Sequence, residues 1–262
     1  MEKNLPLVSL SLADKGYNKL VIPFLGKLDD GNVFKNIIIF LLSVLSIGLL
    51  LGGIYSSFSG LFGDSGFIKS YISSDFVSGS KKAGAVVGLI FGFVISILTA
   101  WALFSILKKR TEQMKSIEYD SLLSFVFVKI SPKLILVIGE LFFVLILYVG
   151  ILQIIADLVG SYVYAPLSEN PALLLSIFPG MEFLSGLAPQ QIMGDYEIMG
   201  DYDNFGNSIK IGVISIAGSF LLLIAFYIYK EIYSYIVKLI TNLISFLPKF
   251  AIPLAIRIRN EN

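Results

Sequence analysis

The chain has 262 residues, of which 56% are hydrophobic and 15% charged, and its formal net charge is +1. Its mean hydropathy of +0.82 is far above that of a soluble domain, which predicts a polytopic membrane protein. The near-neutral charge argues against nucleic-acid binding, which requires a concentrated basic face. Because the sequence contains no cysteine and no histidine, disulfides and thiolate or imidazole chemistry are excluded, and we expect no metal and no cofactor.

Residues 1–36 form the predicted N-terminal segment, in which short apolar patches alternate with lysines. The first patch, residues 5–12, is followed closely by Asp14 and Lys15, whereas a cleavable signal peptide has a longer apolar core. We therefore expect the start of the chain to be retained.

Four long apolar stretches predict transmembrane helices, and they cover residues 37–54, 83–107, 134–158 and 211–229. The second stretch carries no charge and is flanked by basic residues, which are Lys81 and Lys82 before it and Lys108, Lys109 and Arg110 after it. At a rise of about 1.5 Å per residue, a helix of its length crosses the roughly 30 Å hydrocarbon layer of a bilayer. The predicted fold is therefore an all-α, four-transmembrane-helix bundle occupying residues 37–247.

Small residues recur at every fourth position along the second predicted span. This set consists of Gly84, Gly88, Gly92, Ser96 and Ala100, and Gly48 and Gly52 form a shorter pair in the first span. Such spacing lets helix backbones approach closely in lipid, so we interpret both sets as helix-packing surfaces of the glycine-zipper type. The longer set fits packing against the first or third span, or docking to another subunit. A pore lined by glycine has little else in its favour.

The third span contains one deep charge, Glu140. If the helix begins near Leu134, this carboxylate lies about 9 Å inside the hydrocarbon layer, where an ionised form costs roughly 2 to 3 kcal/mol. Lys133, seven residues earlier on the same face, is its predicted partner. A partner on another subunit and an ion-binding role are the alternatives. Gln153 and Asp157, near the other end of the span, are interpreted as interfacial polar residues and not as a substrate site.

Two predicted outer loops, residues 55–82 and 159–210, connect the spans. The second contains a proline-interrupted apolar run, 172–187, which is interpreted as interfacial or re-entrant. It also contains the pentamer Ile-Met-Gly-Asp-Tyr twice, at 192–196 and 198–202. The acidic side chains of this tract are Asp195, Glu197, Asp201 and Asp203. Neither EF-hand register fits them, so we expect a solvated acidic loop that offers a partner surface, and no calcium site.

The C-terminal part begins with a predicted amphipathic helix, residues 232–247, which lies along the membrane and ends at Pro248. A basic tail, 248–262, closes the chain. Sixteen of the 20 Lys and Arg residues fall before the first span, between the second and third spans, or after the fourth. The positive-inside rule then places both termini in the cytoplasm of a prokaryotic cell, with the bundle in its cytoplasmic (inner) membrane.

These features predict a non-catalytic accessory or scaffold subunit of a membrane protein complex. Its expected partners are membrane lipids and other membrane subunits, in a hetero- or homo-oligomer. The alternative is a small ion- or proton-coupled transporter or channel that uses Glu140. A membrane enzyme would depend on Asp, Glu, Lys, Ser or Tyr alone, and the sequence has no Walker-type phosphate loop and no Gly-x-Ser-x-Gly motif.

Overall fold

The computed structural model describes residues 32–62, 66–75, 77–118, 124–167, 197–199 and 206–260. Within these ranges, four helices are long and apolar enough to cross a membrane. They are α1 (Asn32–Ser59), α2 (Gly79–Lys115), α3 (Ser131–Val159) and α4 (Asn207–Asn260). The predicted all-α class with four membrane-spanning helices is confirmed, and the protein is a multi-pass integral membrane protein.

The helices extend beyond the apolar stretches that predicted them. Helix α1 begins before residue 37 and continues past 54, and α2 continues through the basic cluster Lys108, Lys109 and Arg110 to Lys115. An apolar window marks only the part of a helix that lies in hydrocarbon. Lys and Arg are good helix formers, so the helix itself does not end where the charges begin.

A left-handed turn follows α3 and sends the chain back toward the bundle. Gly160 has φ +57°, a backbone conformation that glycine adopts at little cost, and it ends the helix. Strand β1 (Tyr162–Tyr164) follows at once and pairs antiparallel with β2 (Glu197–Met199), with Val163 opposite Ile198. Two single-turn π-helical segments, Ile68–Ile72 and Ser124–Ile130, precede α2 and α3.

Helix α4 differs from its prediction at one boundary. It runs unbroken from Asn207 to Asn260, so the amphipathic segment 232–247 is the continuation of the fourth span, and the helix passes Pro248 without ending there. A proline within a helix removes one backbone hydrogen bond and bends the helix, but the remaining bonds can carry the helix onward. Between residues 232 and 243 most apolar side chains are exposed, with Tyr235 at 72% and Leu239 at 67%.

Two clusters of buried side chains hold the helices together. Phe142 and Ile146 of α3 pack against Leu222 and Phe226 of α4. A second cluster joins α1, α2 and α3. Glycines allow α3 and α4 to approach each other closely, because a methyl group added at Gly150 would lie 3.0 Å from the Gly212 carbonyl oxygen.

Candidate functional site

Glu140 of α3 forms an ion pair with Arg110 of α2. The Arg110 Nε donates to Oε2 at 2.9 Å and Nη2 donates to Oε1, so the guanidinium binds both carboxylate oxygens. Arg110 Nη1 also donates to the Gln113 side-chain oxygen at 2.8 Å. Both charged side chains are 19% exposed. The pair therefore joins α2 to α3 close to the end of the apolar layer at which α2 leaves it and α3 enters it.

The predicted pairing of Glu140 with Lys133 is wrong. Lys133 Nζ donates instead to the backbone carbonyl of Gln113 at 3.3 Å. Seven residues separate the two positions by about 10 Å along α3, whereas Arg110 reaches Glu140 sideways from an antiparallel neighbour at the same depth. Arg110 belongs to the basic cluster that the sequence analysis treated only as the flank of a span. Arg110 pairs with Glu140 because α2 and α3 lie side by side, an arrangement that the spacing within either helix does not predict.

The glycine face of α2 is filled by the chain that follows α3. A methyl group added at Gly84 would lie 2.6 Å from the Ser161 Cβ. Methyl groups at Gly88 and Gly92 would collide with the carbonyl oxygens of Tyr162 and Tyr164. The backbone of β1 thus lies directly on the backbone of α2, which only glycine permits.

The last two small residues of this face contact other helices. The Ser96 hydroxyl lies 2.9 Å from the Tyr148 hydroxyl of α3. A methyl group added at Gly53 of α1 would lie 2.6 Å from the Ala100 Cβ. Along its length the face therefore meets a strand, then α3, then α1. Packing is within the chain, but the partner of the three glycines is an extended strand and not a helix.

The strand enters the apolar layer. Gly92 is nine residues after Ala83, the first residue of the charge-free stretch, which corresponds to about 14 Å along the helix. Non-helical backbone at such a depth is tolerated only where protein covers it, because lipid offers no hydrogen bonds. Val163, Tyr164 and Ala165 are accordingly fully buried.

Polar side chains of the helices satisfy the backbone around this strand. Ser56 Oγ donates to the Pro166 carbonyl at 3.0 Å, and the Leu167 N–H donates to the Tyr148 hydroxyl at 3.4 Å. The strand in turn contributes donors, since the Tyr164 hydroxyl donates to the Ser57 carbonyl at 2.8 Å and Ser161 Oγ donates to the Lys81 carbonyl at 2.6 Å. We call β1 with these flanking residues, 161–167, the re-entrant segment.

The re-entrant segment was not predicted from the sequence, although the segment contains a recognisable pattern. Tyr162, Val163 and Tyr164 form a short run of strand-favouring residues that begins two positions after Gly160. The predicted re-entrant run, residues 172–187, lies outside the described residues.

Gln153 and Asp157 are buried in the protein, each with 2% of its surface exposed, and their predicted position at the membrane interface stays a prediction. Asp157 Oδ2 accepts hydrogen bonds from the Gly206 N–H at 2.7 Å and the Ile209 N–H at 3.4 Å. A carboxylate at a helix N-terminus satisfies unpaired donors and complements the helix dipole. Asp157 therefore fixes the start of α4 against the end of α3, while Gln153 Oε1 is buried without a hydrogen-bond partner in the described structure.

Gly48 and Gly52 of α1 lie on the outside of the bundle. A methyl group added at either position would have no atom of the described residues within 4 Å. Large apolar side chains surround them on the same face, with Leu41, Leu45 and Tyr55 at 59%, 49% and 74% exposure. We call this set, residues 41, 45, 48, 52 and 55, the α1 glycine face.

Most of the acidic tract lies outside the described residues, including Asp195, Asp201 and Asp203. Glu197 lies in β2, where it pairs with Tyr164 of β1. Within the described ranges, no three acidic side chains come close enough to hold a metal ion. The acidic surface therefore stays a prediction.

Comparisons with models of protein families, with curated proteins and with solved structures found no match to this chain.

Proposed function

We propose that this protein is a non-catalytic accessory or scaffold subunit of a membrane protein complex, which binds a transmembrane helix of another subunit on its α1 glycine face. The observation that carries the proposal is the empty space over Gly48 and Gly52 on an exposed apolar helix surface. Lipid tails are as apolar as leucine, so helices associate in a membrane mainly through close backbone approach and packing. A small pair flanked by large apolar residues suits that contact.

Several other glycines within the described spans already have partners in the chain, which supports this assignment. The glycine face of α2 holds the re-entrant segment, and Gly150 and Gly212 bring α3 and α4 together. Several polar side chains of the helices also have partners within the chain. Ser96 bonds Tyr148, Asp157 caps α4, and Glu140 pairs with Arg110.

A small ion- or proton-coupled transporter or channel is the second candidate, and one observation favours it. The Arg110–Glu140 pair lies within the helical bundle and remains 19% exposed. Ionisable groups within membrane spans frequently mark ion pathways. In this reading, the Glu140 carboxylate would alternate between pairing with Arg110 and binding a transported cation.

The experiment compares complexes extracted in a mild detergent from cells producing the wild type, the double variant Gly48→Leu with Gly52→Leu, or the control Gly79→Leu. Gly79 likewise has no atom within 4 Å of an added methyl group, but it lies at the start of α2. Native mass analysis measures the subunits that remain bound in stoichiometric amounts. We expect the double variant to lose a membrane subunit that the control retains. Retention by both variants, or absence of a bound subunit from the wild type, contradicts the proposal.

Glu140→Gln separates the two candidates. The amide keeps the size of the side chain and can still accept a hydrogen bond from Arg110, but it loses the charge. A scaffold would keep its bound subunit, and vesicles containing the purified wild-type protein would show no cation or proton flux above empty vesicles. A flux that the wild type supports and Glu140→Gln abolishes would favour the transporter.

A further inference from the structure

A cavity of about 390 Å³ opens at the end of the bundle where α3 begins and α4 leaves its apolar stretch. Four lysines are among the described residues that line it, together with Glu231 and Ser234; the lysines are Lys129, Lys133, Lys230 and Lys238. Glu231 forms an ion pair with Lys230 at 2.5 Å, so it offsets one of these charges. The lining therefore carries a net positive charge, and the ammonium groups of Lys129 and Lys133 also donate to the carbonyls of Glu118 and Gln113, at 2.8 and 3.3 Å.

The depth of this cavity matches the headgroup layer of a membrane. Lys133 lies seven residues before Glu140 on α3, or about 10 Å farther from the bilayer centre. Lys230 directly follows the last residue of the apolar stretch of α4. The lysines therefore lie at the edge of the hydrocarbon layer, where the polar headgroups begin.

An apolar track leads from the cavity into the membrane along α4. Phe220, Ile224 and Tyr227 are 52%, 55% and 45% exposed. Their spacing of four and three residues continues in Glu231, Ser234 and Lys238, so the track and the cavity wall occupy one helix face. A ligand that fills both would have an anionic head and a hydrocarbon tail.

We propose that this cavity binds the phosphate headgroup of an anionic phospholipid, whose acyl chain lies on the α4 track. Ammonium groups suit a compact phosphate charge, and basic pockets between transmembrane helices recognise anionic headgroups. A free phosphate ion would satisfy the lysines but leave the track unused. The track is what selects a lipid as the source of the phosphate.

The experiment uses the full chain in nanodiscs of equal parts phosphatidylglycerol and phosphatidylcholine, and native mass spectrometry measures the lipid that stays bound on release. The test variant is Lys133→Gln with Lys238→Gln. The control is Lys108→Gln with Lys109→Gln, which removes the same charge from exposed positions at the inner end of α2. Size-exclusion chromatography checks that each variant remains folded. A competition arm adds millimolar inorganic phosphate to the wild type.

We expect phosphatidylglycerol to be retained in preference to phosphatidylcholine by the wild type and the control. Retention by the test variant should be about 30-fold weaker, which corresponds to about 1 kcal/mol for each lysine removed. Inorganic phosphate should not displace the lipid. Equal losses in the two double variants would overturn the proposal by indicating diffuse surface attraction. Displacement by phosphate alone, or no lipid preference in the wild type, would also overturn it.

Discussion

The glycine faces of α1 and α2 have the same sequence pattern and opposite environments. On α2, a methyl group at Gly84, Gly88 or Gly92 would strike the chain that follows α3; on α1, a methyl group at Gly48 or Gly52 would meet nothing within 4 Å. A small-residue spacing thus indicates a surface that permits close approach. Whether the approaching group belongs to the same chain depends on what the rest of the fold places beside that surface.

The largest expected effect comes from filling the α2 face. Gly92→Val should lower the free energy of unfolding by about 3 kcal/mol, because the added side chain meets backbone that has no room to move. Gly48→Val is the matched control, since it makes the same change in a helix where the space is open. Thermal unfolding in mild detergent, followed by circular dichroism, measures both. Equal melting temperatures for the two variants would mean that the contrast between the faces is not real.

Removing the Arg110–Glu140 ion pair tests whether contacts other than the glycine face also hold α2 in the bundle. Glu140→Leu should destabilise the protein by about 2 kcal/mol, because it leaves the Arg110 guanidinium partly buried without its counter-charge. The double variant Arg110→Met with Glu140→Leu should recover part of this loss, since both charges are then absent. Denaturant titration of the detergent-solubilised protein measures the difference. A double variant less stable than Glu140→Leu would contradict this account.

A smaller effect is expected from removing the Tyr148 hydroxyl, which links α2, α3 and the re-entrant segment. Tyr148→Phe removes the contact with Ser96 Oγ and the acceptor for the Leu167 N–H. The loss of these hydrogen bonds should cost about 1 kcal/mol. Tyr55→Phe serves as the control because Tyr55 is 74% exposed. If both variants have the melting temperature of the wild type, the Tyr148 hydroxyl does not help to hold the re-entrant segment.

The smallest effect is expected from a substitution on the α1 glycine face. Gly48→Ala should leave the free energy of unfolding of the isolated chain unchanged or raise it by up to about 1 kcal/mol, because alanine is the better helix former. Chemical or thermal unfolding of the purified protein measures it. A clear drop in stability would mean that a neighbour within the chain already covers Gly48.

Sequence patterns predicted the spans well because hydrocarbon excludes charge, so long apolar stretches leave few other structures available. They predicted helix ends less well. At Lys108 to Lys115 and at Pro248, the residues that mark the membrane edge or weaken a helix do not stop it. Patterns along one helix also misassigned Glu140, since the partner came from another helix at the same depth.

The sequence by itself determined that this chain is a helical membrane protein, which surfaces permit close backbone approach, and where a buried carboxylate requires a partner. These properties are local, because they follow from composition and spacing within a single helix. Only the tertiary structure decided that β1 fills the α2 face, that Arg110 meets Glu140, and that no described residue covers Gly48 and Gly52. Such choices depend on contacts between residues distant in the chain, and no periodicity within one segment encodes them.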